Sequence, residues 1–289
     1  MMIKNRILKI VFWGEDAFSN VVLNSLVQAG HDVKMVVSPL YNNLVYKKLE
    51  YTCHKNRIPY YRFKDINSKE VVDLLKSFEP DICVIAHFQR LIKGELLNIP
   101  KKGFINLHPS LLPDYRGMSP QHWPIINGEK ESGVTVHYVD SGVDTGDIII
   151  QEKFSLNEND YVSDLQNKWI KIYDHIMIDA INRIMDNSPV IVQRHLAGRY
   201  YGKLRSEECI IKKDITIREA YNLIRGVSMP YQGAQMDNVI IWKAHPVDKE
   251  YNDIIHNSEY PVGVYINSEK GNFLRLKDGV LIIDKYKIL

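Results

Sequence analysis

The sequence predicts a doubly wound α/β protein with a mostly parallel sheet, followed by a small, mostly β C-terminal domain. Three observations predict it. Short apolar runs alternate with helical patterns over the first two-thirds of the chain, the spacing of a parallel sheet with helices on both faces. Glycines and prolines punctuate nearly every junction between them,. From about residue 200 the texture changes to short strand candidates.

Residues 7–13 (ILKIVFW) read as a buried strand that Gly14 breaks. Phe18, Val22, Leu26 and Ala29 then recur at helical spacing until Gly30 stops them,. A second strand at 33–38 (VKMVVS) leads to a helical stretch at 43–56 and an extended piece around Tyr60. The run Asn67-Ser68-Lys69-Glu70 has capping-box form and opens a helix that Pro80 ends,. Strands follow at 81–86 (DICVIA) and 103–107 (GFINL), and a loop rich in Pro and Gly continues to Gly117. The segment from Pro120 to Asn127 is a short helix opened by Ser119 and closed by Gly128. The runs 133–139 (GVTVHYV) and 147–154 (DIIIQEKF) flank a glycine-punctuated turn, a hairpin with an enlarged connection, and a long amphipathic helix fills 159–187,. In the tail, Thr216 and Glu219 form a capping box, and strands are expected at 238–243, 262–266, 272–276 and 280–285,. The domains are therefore placed at 1–205 and 206–289.

Composition bounds the function. With 289 residues, 45% hydrophobic and 25% charged, the chain has globular composition. Its 37 basic and 35 acidic side chains leave a formal charge of +2, so no global attraction to nucleic acid or an anionic membrane is built in. Cys53, Cys83 and Cys209 are far apart, with neither zinc spacing nor a disulfide framework, which fits a reducing cytoplasm. Lys4, Arg6 and Lys9 precede an apolar stretch that ends at Trp13, too short for a signal peptide, and no run of bilayer-spanning length follows,.

Chemistry concentrates in two places. Asn106-Leu107-His108-Pro109-Ser110-Leu111-Leu112-Pro113-Asp114-Tyr115-Arg116-Gly117 puts Asn106 and His108 on one face at the C-terminal end of a strand, where open α/β sheets bind ligands. An amide donor beside an imidazole suits acyl transfer; a polar strand end that satisfies loop backbone is the alternative. In Asp140-Ser141-Gly142-Val143-Asp144-Thr145-Gly146 the glycines allow close approach of a flat ligand, and Asp144 is able to orient an imidazole,. An Asp-Gly hairpin tip is the alternative there.

Together the clusters resemble the folate-dependent formyltransferase family, through Asn106-Leu107-His108-Pro109-Ser110-Leu111-Leu112-Pro113 and the segment Gly133 to Gly146. The resemblance covers about residues 7–205 and implies a Rossmann-like catalytic domain with Asn106, His108 and Asp144 as its catalytic trio. It implies N10-formyltetrahydrofolate as donor, bound against Phe88, Gln89, Arg90, Leu91 and Ile92 and against Val139, Asp140, Ser141, Gly142 and Val143, with no metal required. Gly14-Glu15-Asp16-Ala17-Phe18-Ser19 lacks the dinucleotide-binding glycine spacing,. A metal held by His108, His122 and Asp144 lacks ligand spacing on one element.

Of the amines such enzymes formylate, the purine precursor glycinamide ribonucleotide is disfavoured by the tail. Residues 206–289 carry 11 Lys and Arg against 12 Asp and Glu, a net of −1, which disfavours methionyl-tRNA, the runner-up, since phosphate contacts call for cations. The stretch Ser38-Pro39-Leu40-Tyr41-Asn42-Asn43 is also short where tRNA formyltransferases carry a longer basic loop. The resemblance is nearest to sugar N-formyltransferases acting on dTDP- or UDP-linked amino-deoxysugars for surface polysaccharide, such as lipopolysaccharide O-antigen. Ser110, Tyr115, Arg116, Gly117, Trp123, Lys203, Arg205 and Arg225 are the candidate substrate residues. A cytoplasmic homodimer is implied, with no nucleic-acid or membrane partner. A non-catalytic binder of folate or sugar nucleotide is the rival of another class, which the intact trio disfavours.

Overall fold

The computed structural model of the chain describes residues 7–40, 47–193, 197–247, 261–268 and 271–289. Lys4, Arg6, the loop at Tyr41–Asn43 and the expected start of the second helix lie outside them.

In chain order the elements are β1 (Lys9–Gly14), α1 (Ala17–Gln28), β2 (Asp32–Pro39), α2 (Lys47–Asn56), β3 (Tyr60–Phe63), α3 (Lys69–Phe78), β4 (Ile82–Ala86), β5 (Phe104–His108), β6 (Arg116–Gly117), α4 (Trp123–Ile126), β7 (Glu131–Tyr138), β8 (Ile148–Ser155), α5 (Val162–Tyr173), α6 (Ile176–Met185), β9 (Tyr200–Tyr201), α7 (Ile217–Gly226), β10 (Ala234–Met236), β11 (Val239–Pro246), β12 (Val264–Ser268), β13 (Gly271–Leu276) and β14 (Gly279–Ile288). They form two compact units, one of residues 1–116, 133–153 and 169–199, the other of 117–132, 154–168 and 200–289.

The first unit is built on a seven-stranded sheet in the order β3-β2-β1-β4-β5-β7-β8. Strands β3 to β5 are parallel, and β7 runs antiparallel to β5. The inner strands are buried on both faces, so their sequences are continuous apolar runs rather than alternating ones,. Val11, Trp13, Met35, Val37, Cys83 and Ile85 pack with Phe104 on one face. Trp13 is fully buried, and its truncation to Ala costs about 3–5 kcal/mol by the usual cavity scale.

Three helix expectations needed correction, the first at α4, which spans only Trp123–Ile126 with His122 rather than Ser119 at its N-cap. The capping box on the first half of the chain belongs to α1, where Asp16 accepts the Phe18 and Ser19 amides and Ser19 returns a bond. At α3, Ser68 stands at the N-cap with no side-chain bond, because Asn67 is engaged outside the helix, with Leu91 and Lys93. The amphipathic run at 159–187 is two helices, α5 and α6, divided at Asp174 and His175. Neither proline nor glycine marks that break.

The second unit carries an antiparallel sheet in the order β10-β11-β14-β13-β12. Helix α7 opens with the expected Thr216–Glu219 capping box. Its Ala220, Leu223 and Ile224, with Val227 at its C-cap, pack against Ala234, Val239, Ile241 and Leu281.

Candidate active site

Asn106 and His108 are alternate residues of β5 and therefore share a face,. The antiparallel ladder sets His137 opposite Asn106 and Thr135 opposite His108. Thr135 also holds the loop that follows β5: its hydroxyl donates to the Ser110 carbonyl at 2.7 Å and accepts the Leu112 amide at 3.2 Å. The loop thereby brings the Tyr115 carbonyl to 2.8 Å from His108 Nε2.

Asp144 sits in the turn after β7 with a left-handed φ of 54°. Its Oδ2 lies 3.6 Å from His108 Nδ1. Its Oδ1 lies 3.4 Å from Asn106 Nδ2 and 3.5 Å from His137 Nε2. The trio thus converges, with His137 as a fourth member. Two side chains fix the turn from behind. Arg116 Nε donates to the Asp144 carbonyl at 3.2 Å, and Gln193 Nε2 donates to the same oxygen at 3.3 Å. Gln193 in turn accepts from Arg116 Nη2 at 2.9 Å. At Gly146 an added Cβ would stand 1.9 Å from the Tyr138 carbonyl, so a side chain there would displace the turn.

Burial holds the His108 pKa below the ordinary imidazole value, against the opposing pull of the Asp144 carboxylate,. His108 is therefore neutral near pH 7. With its Nε2–H given to the Tyr115 carbonyl, its Nδ1 presents a lone pair. His137 has the opposite tautomer: Nδ1 donates to the Tyr138 carbonyl at 2.7 Å, so Nε2 accepts from the Asn106 amide at 3.2 Å.

The stretch Phe88–Ile92 follows β4, the parallel neighbour of β5, and so leaves the sheet beside this group. Phe88 packs edge-on against Trp13, with ring centroids 5.7 Å apart. Gln89, Arg90 and Leu91 are exposed, and Ile92 is buried. Across the turn, Val139 donates to the Phe104 carbonyl at 2.9 Å. Asp140 Oδ1 accepts the Gly142 amide at 3.0 Å and the Thr145 hydroxyl at 2.7 Å. Ser141 and Gly142 are exposed, and Val143 is half-buried.

The expected substrate residues divide. Ser110 is fully buried and its hydroxyl donates to the Asp114 carbonyl at 2.8 Å, which commits it to loop structure. Tyr115 is buried, with the Arg199 guanidinium 5.5 Å from its ring centroid. Arg116 supports the Asp144 turn as described. The others belong to the second unit. Gly117 has a φ of 94°, and a Cβ there would meet the Tyr201 carbonyl at 2.4 Å. The Trp123 and Tyr201 ring centroids are 4.9 Å apart. Lys203 is exposed, and exposed Arg205 stands 3.7 Å from Glu208. Arg225 is only 5% exposed. It donates to the Asp160 carbonyl at 2.5 Å and to Asn222 Oδ1 at 2.6 Å, and lies over the Tyr221 ring. These three residues of α7 line a cavity of about 280 Å³ with Arg218, Lys130 and Asn159.

His137 and Gln193 were not singled out from the sequence. His137 stands inside a strand-like run, and only the β5–β7 register brings it to Asn106 and Asp144; Gln193 has no motif around it. Among the described residues no group of three or more His, Cys, Asp and Glu is placed to hold a metal ion, and none of the helices is long and apolar enough to cross a membrane.

A family model described as formyl transferase matches residues 8–181. The methionyl-tRNA formyltransferase of Clostridioides difficile (strain 630) is 32% identical over 97% of this chain and 92% of its own. That of Pelotomaculum thermopropionicum is 32% identical over 84% and 80%. Among solved structures, WlaRD, a sugar 3N-formyl transferase crystallised in the presence of dTDP and 5-N-formyl-THF, superposes with a TM-score of 0.74 at 24% identity, over 97% of this chain and 98% of that one. The N-formyltransferase from Helicobacter canadensis, in complex with folinic acid and dTDP-3-aminofucose, superposes with a TM-score of 0.71 at 23% identity, over 97% and 100%. These two likenesses establish a shared fold.

Proposed function

We propose, from the premise that the chain belongs to the formyl transferase family, that it moves a formyl group from N10-formyltetrahydrofolate to the amino group of a nucleotide-linked amino-deoxysugar. The observation that carries the reaction is the convergence of Asn106, His108 and Asp144 on one point at the C-terminal end of β5.

The substrate amine attacks the formyl carbon, the carbonyl oxygen becomes an oxyanion, and the bond to N10 of the folate breaks as a proton passes from the amine to N10. The Asn106 amide keeps one N–H on His137 Nε2, and the other, which reaches Asp144 Oδ1 at 3.4 Å, is the one given to the oxyanion. Loss of one such donor costs on the order of 10² to 10³ in turnover. His108 has its Nε2–H committed to the Tyr115 carbonyl, so the nitrogen left for the reaction is the bare Nδ1, a proton acceptor rather than an oxyanion donor. The nearby Asp144 carboxylate stabilises the imidazolium that forms, which then returns the proton to the leaving nitrogen,.

The folate is assigned to the Phe88–Ile92 loop and the Val139–Val143 turn, residues 1–205 to the catalytic domain and 206–289 to the small C-terminal domain. For the acceptor, the net charge of −1 over residues 206–289 favours a small substrate over a polyanion,. A sugar nucleotide asks for a few cations near a diphosphate, a role open to exposed Lys203 and Arg205,. A cytoplasmic homodimer serving surface-polysaccharide synthesis completes the reading. Methionyl-tRNA is the second reading, and the 32% identity to tRNA formyltransferases favours it.

The test is a mass-spectrometric assay for formyl gain, with N10-formyltetrahydrofolate and a panel of dTDP- and UDP-linked amino sugars beside methionyl-tRNA. Formylation of one sugar nucleotide is the expected result. Formylation of tRNA alone would overturn the acceptor assignment.

A further inference from the structure

The loop after β4 is held at both ends by side chains from elsewhere in the first unit. Asn67, just before α3, donates to the Leu91 carbonyl at 2.9 Å and accepts the Lys93 amide at 2.8 Å. At the other end Glu15, in the β1–α1 turn, accepts the Gln89 amide through Oε1. His87, with a left-handed φ of 48°, is fastened beside it. Its ring stacks on Phe18 at 5.1 Å, with Nε2 at 2.7 Å from the Tyr173 hydroxyl and Nδ1 at 3.3 Å from Asp16. The Gln89 amide and Leu91 carbonyl are thus spent on the clamps. The amides of Leu91 and Ile92 have no backbone partner among the described residues, so the clamped loop offers them to a ligand.

A carboxylate is an expensive choice for this clamp. Glu15 is only 7% exposed, and a neutral amide would meet Gln89 without a charge to bury. We propose that Glu15 is a positioning residue for the formyl donor: its carboxylate draws Gln89 inward and sets the loop in the shape that the pterin meets. This inference rests on the reading that Phe88–Ile92 receives the donor.

Burial raises the Glu15 pKa to about 7 even though the Gln89 amide opposes the shift. The titratable and charged groups around it are Asp16 on its own turn, which raises the value further, and Arg90 and His87 on the facing loop, which lower it. The ionised form makes the stronger, charge-assisted bond. Donor affinity therefore weakens as pH falls through about 7. Stability runs the other way. A carboxyl whose folded pKa lies above its unfolded value favours the fold at low pH and loses that advantage as pH rises through about 7. A residue kept only for stability would show no such opposition.

The experiment is equilibrium binding of 5-formyltetrahydrofolate at pH 6.0 to 8.5 to the wild-type chain, Glu15→Gln and Asn67→Ala, with Tm measured alongside. In Glu15→Gln, affinity at pH 8.5 is expected to fall roughly tenfold, to the wild-type value at pH 6.0, and to be flat with pH, while Tm at pH 8.5 rises by roughly 2–4 °C. Asn67→Ala weakens binding but keeps the pH dependence. If Glu15→Gln binds like the wild type across the range while Asn67→Ala binds weakly, the role of Glu15 is overturned and the donor loop stands. If the wild type does not bind the folate, or if neither variant alters binding, the donor-loop reading fails and takes the inference with it.

Discussion

Asn106 and His137 face each other across the β5–β7 ladder, the amide nitrogen of one 3.2 Å from the ring nitrogen of the other. His137 is 98% buried, and its second nitrogen is held by the Tyr138 carbonyl, so its ring has one orientation and one tautomer. It fixes which way the Asn106 amide points. His137→Phe keeps the volume and removes the acceptor, freeing the amide to turn. Turnover is expected to fall about 10- to 100-fold, less than loss of the amide itself, with donor affinity changed less than threefold. Steady-state kinetics beside folate binding checks this; a fall in binding as large as the fall in turnover would make His137 a scaffold residue.

His108 depends on pH with a definite sign. Its folded pKa lies below the ordinary imidazole value because burial disfavours the cation, and the proposed role needs the neutral ring. Turnover should therefore hold down to pH 6.5 and decline only below it. The acid limb of the kcat profile measures this, and a limb centred above pH 6.5 would contradict it. His108→Ala should lower turnover at least about 10³-fold while largely sparing substrate binding.

The sheet was legible because each of its inner strands is buried on both faces and so leaves a continuous apolar run, as in Ile82–Ala86,. The trio was legible because each member sits in a loop or strand end with recognisable glycines and prolines around it. What escaped depends on register and distance. His137 acquires a role only from pairing with Asn106, Glu15 only from a loop 74 residues away in the chain, and Gln193 only from the turn it supports. Asn67 looked like a helix cap because a short polar side chain before a helix ordinarily is one; here the loop competes for it,.

Arg225 and Arg205 were both expected to meet the acceptor, yet their surroundings differ. Arg225 is buried with two charge-assisted bonds, whereas Arg205 is exposed beside Glu208. Arg225→Ala removes both bonds and leaves a buried carbonyl and amide to resolvate, a loss of about 3 kcal/mol, visible as a lower unfolding midpoint in denaturant. Arg205→Ala should leave that midpoint unchanged and raise KM for the sugar nucleotide. Equal midpoints for the two variants would refute the distinction.

His122 supplies the clearest test of linkage in the second unit. It is 5% exposed, its Nδ1 donates to the Gly226 carbonyl at 2.7 Å, and burial holds its pKa below the usual imidazole value despite that bond. Above pH 6.5 the ring is neutral in both folded and unfolded chains, and pH does not act through it. As pH falls below 6.5 the unfolded chain takes up the proton first, so the fold loses stability until its own pKa is reached. Glu15 acts in the opposite direction over part of this range, and whole-protein midpoints mix the two. The difference between wild type and His122→Gln isolates His122. Gln keeps a donor for Gly226 but carries no titrating proton, so the variant is expected to be less stable at pH 8 and to lose less on acidification. The stability gap should narrow from pH 6.5 to pH 5, and a gap that stays constant would mean that His122 is protonated alike in both states.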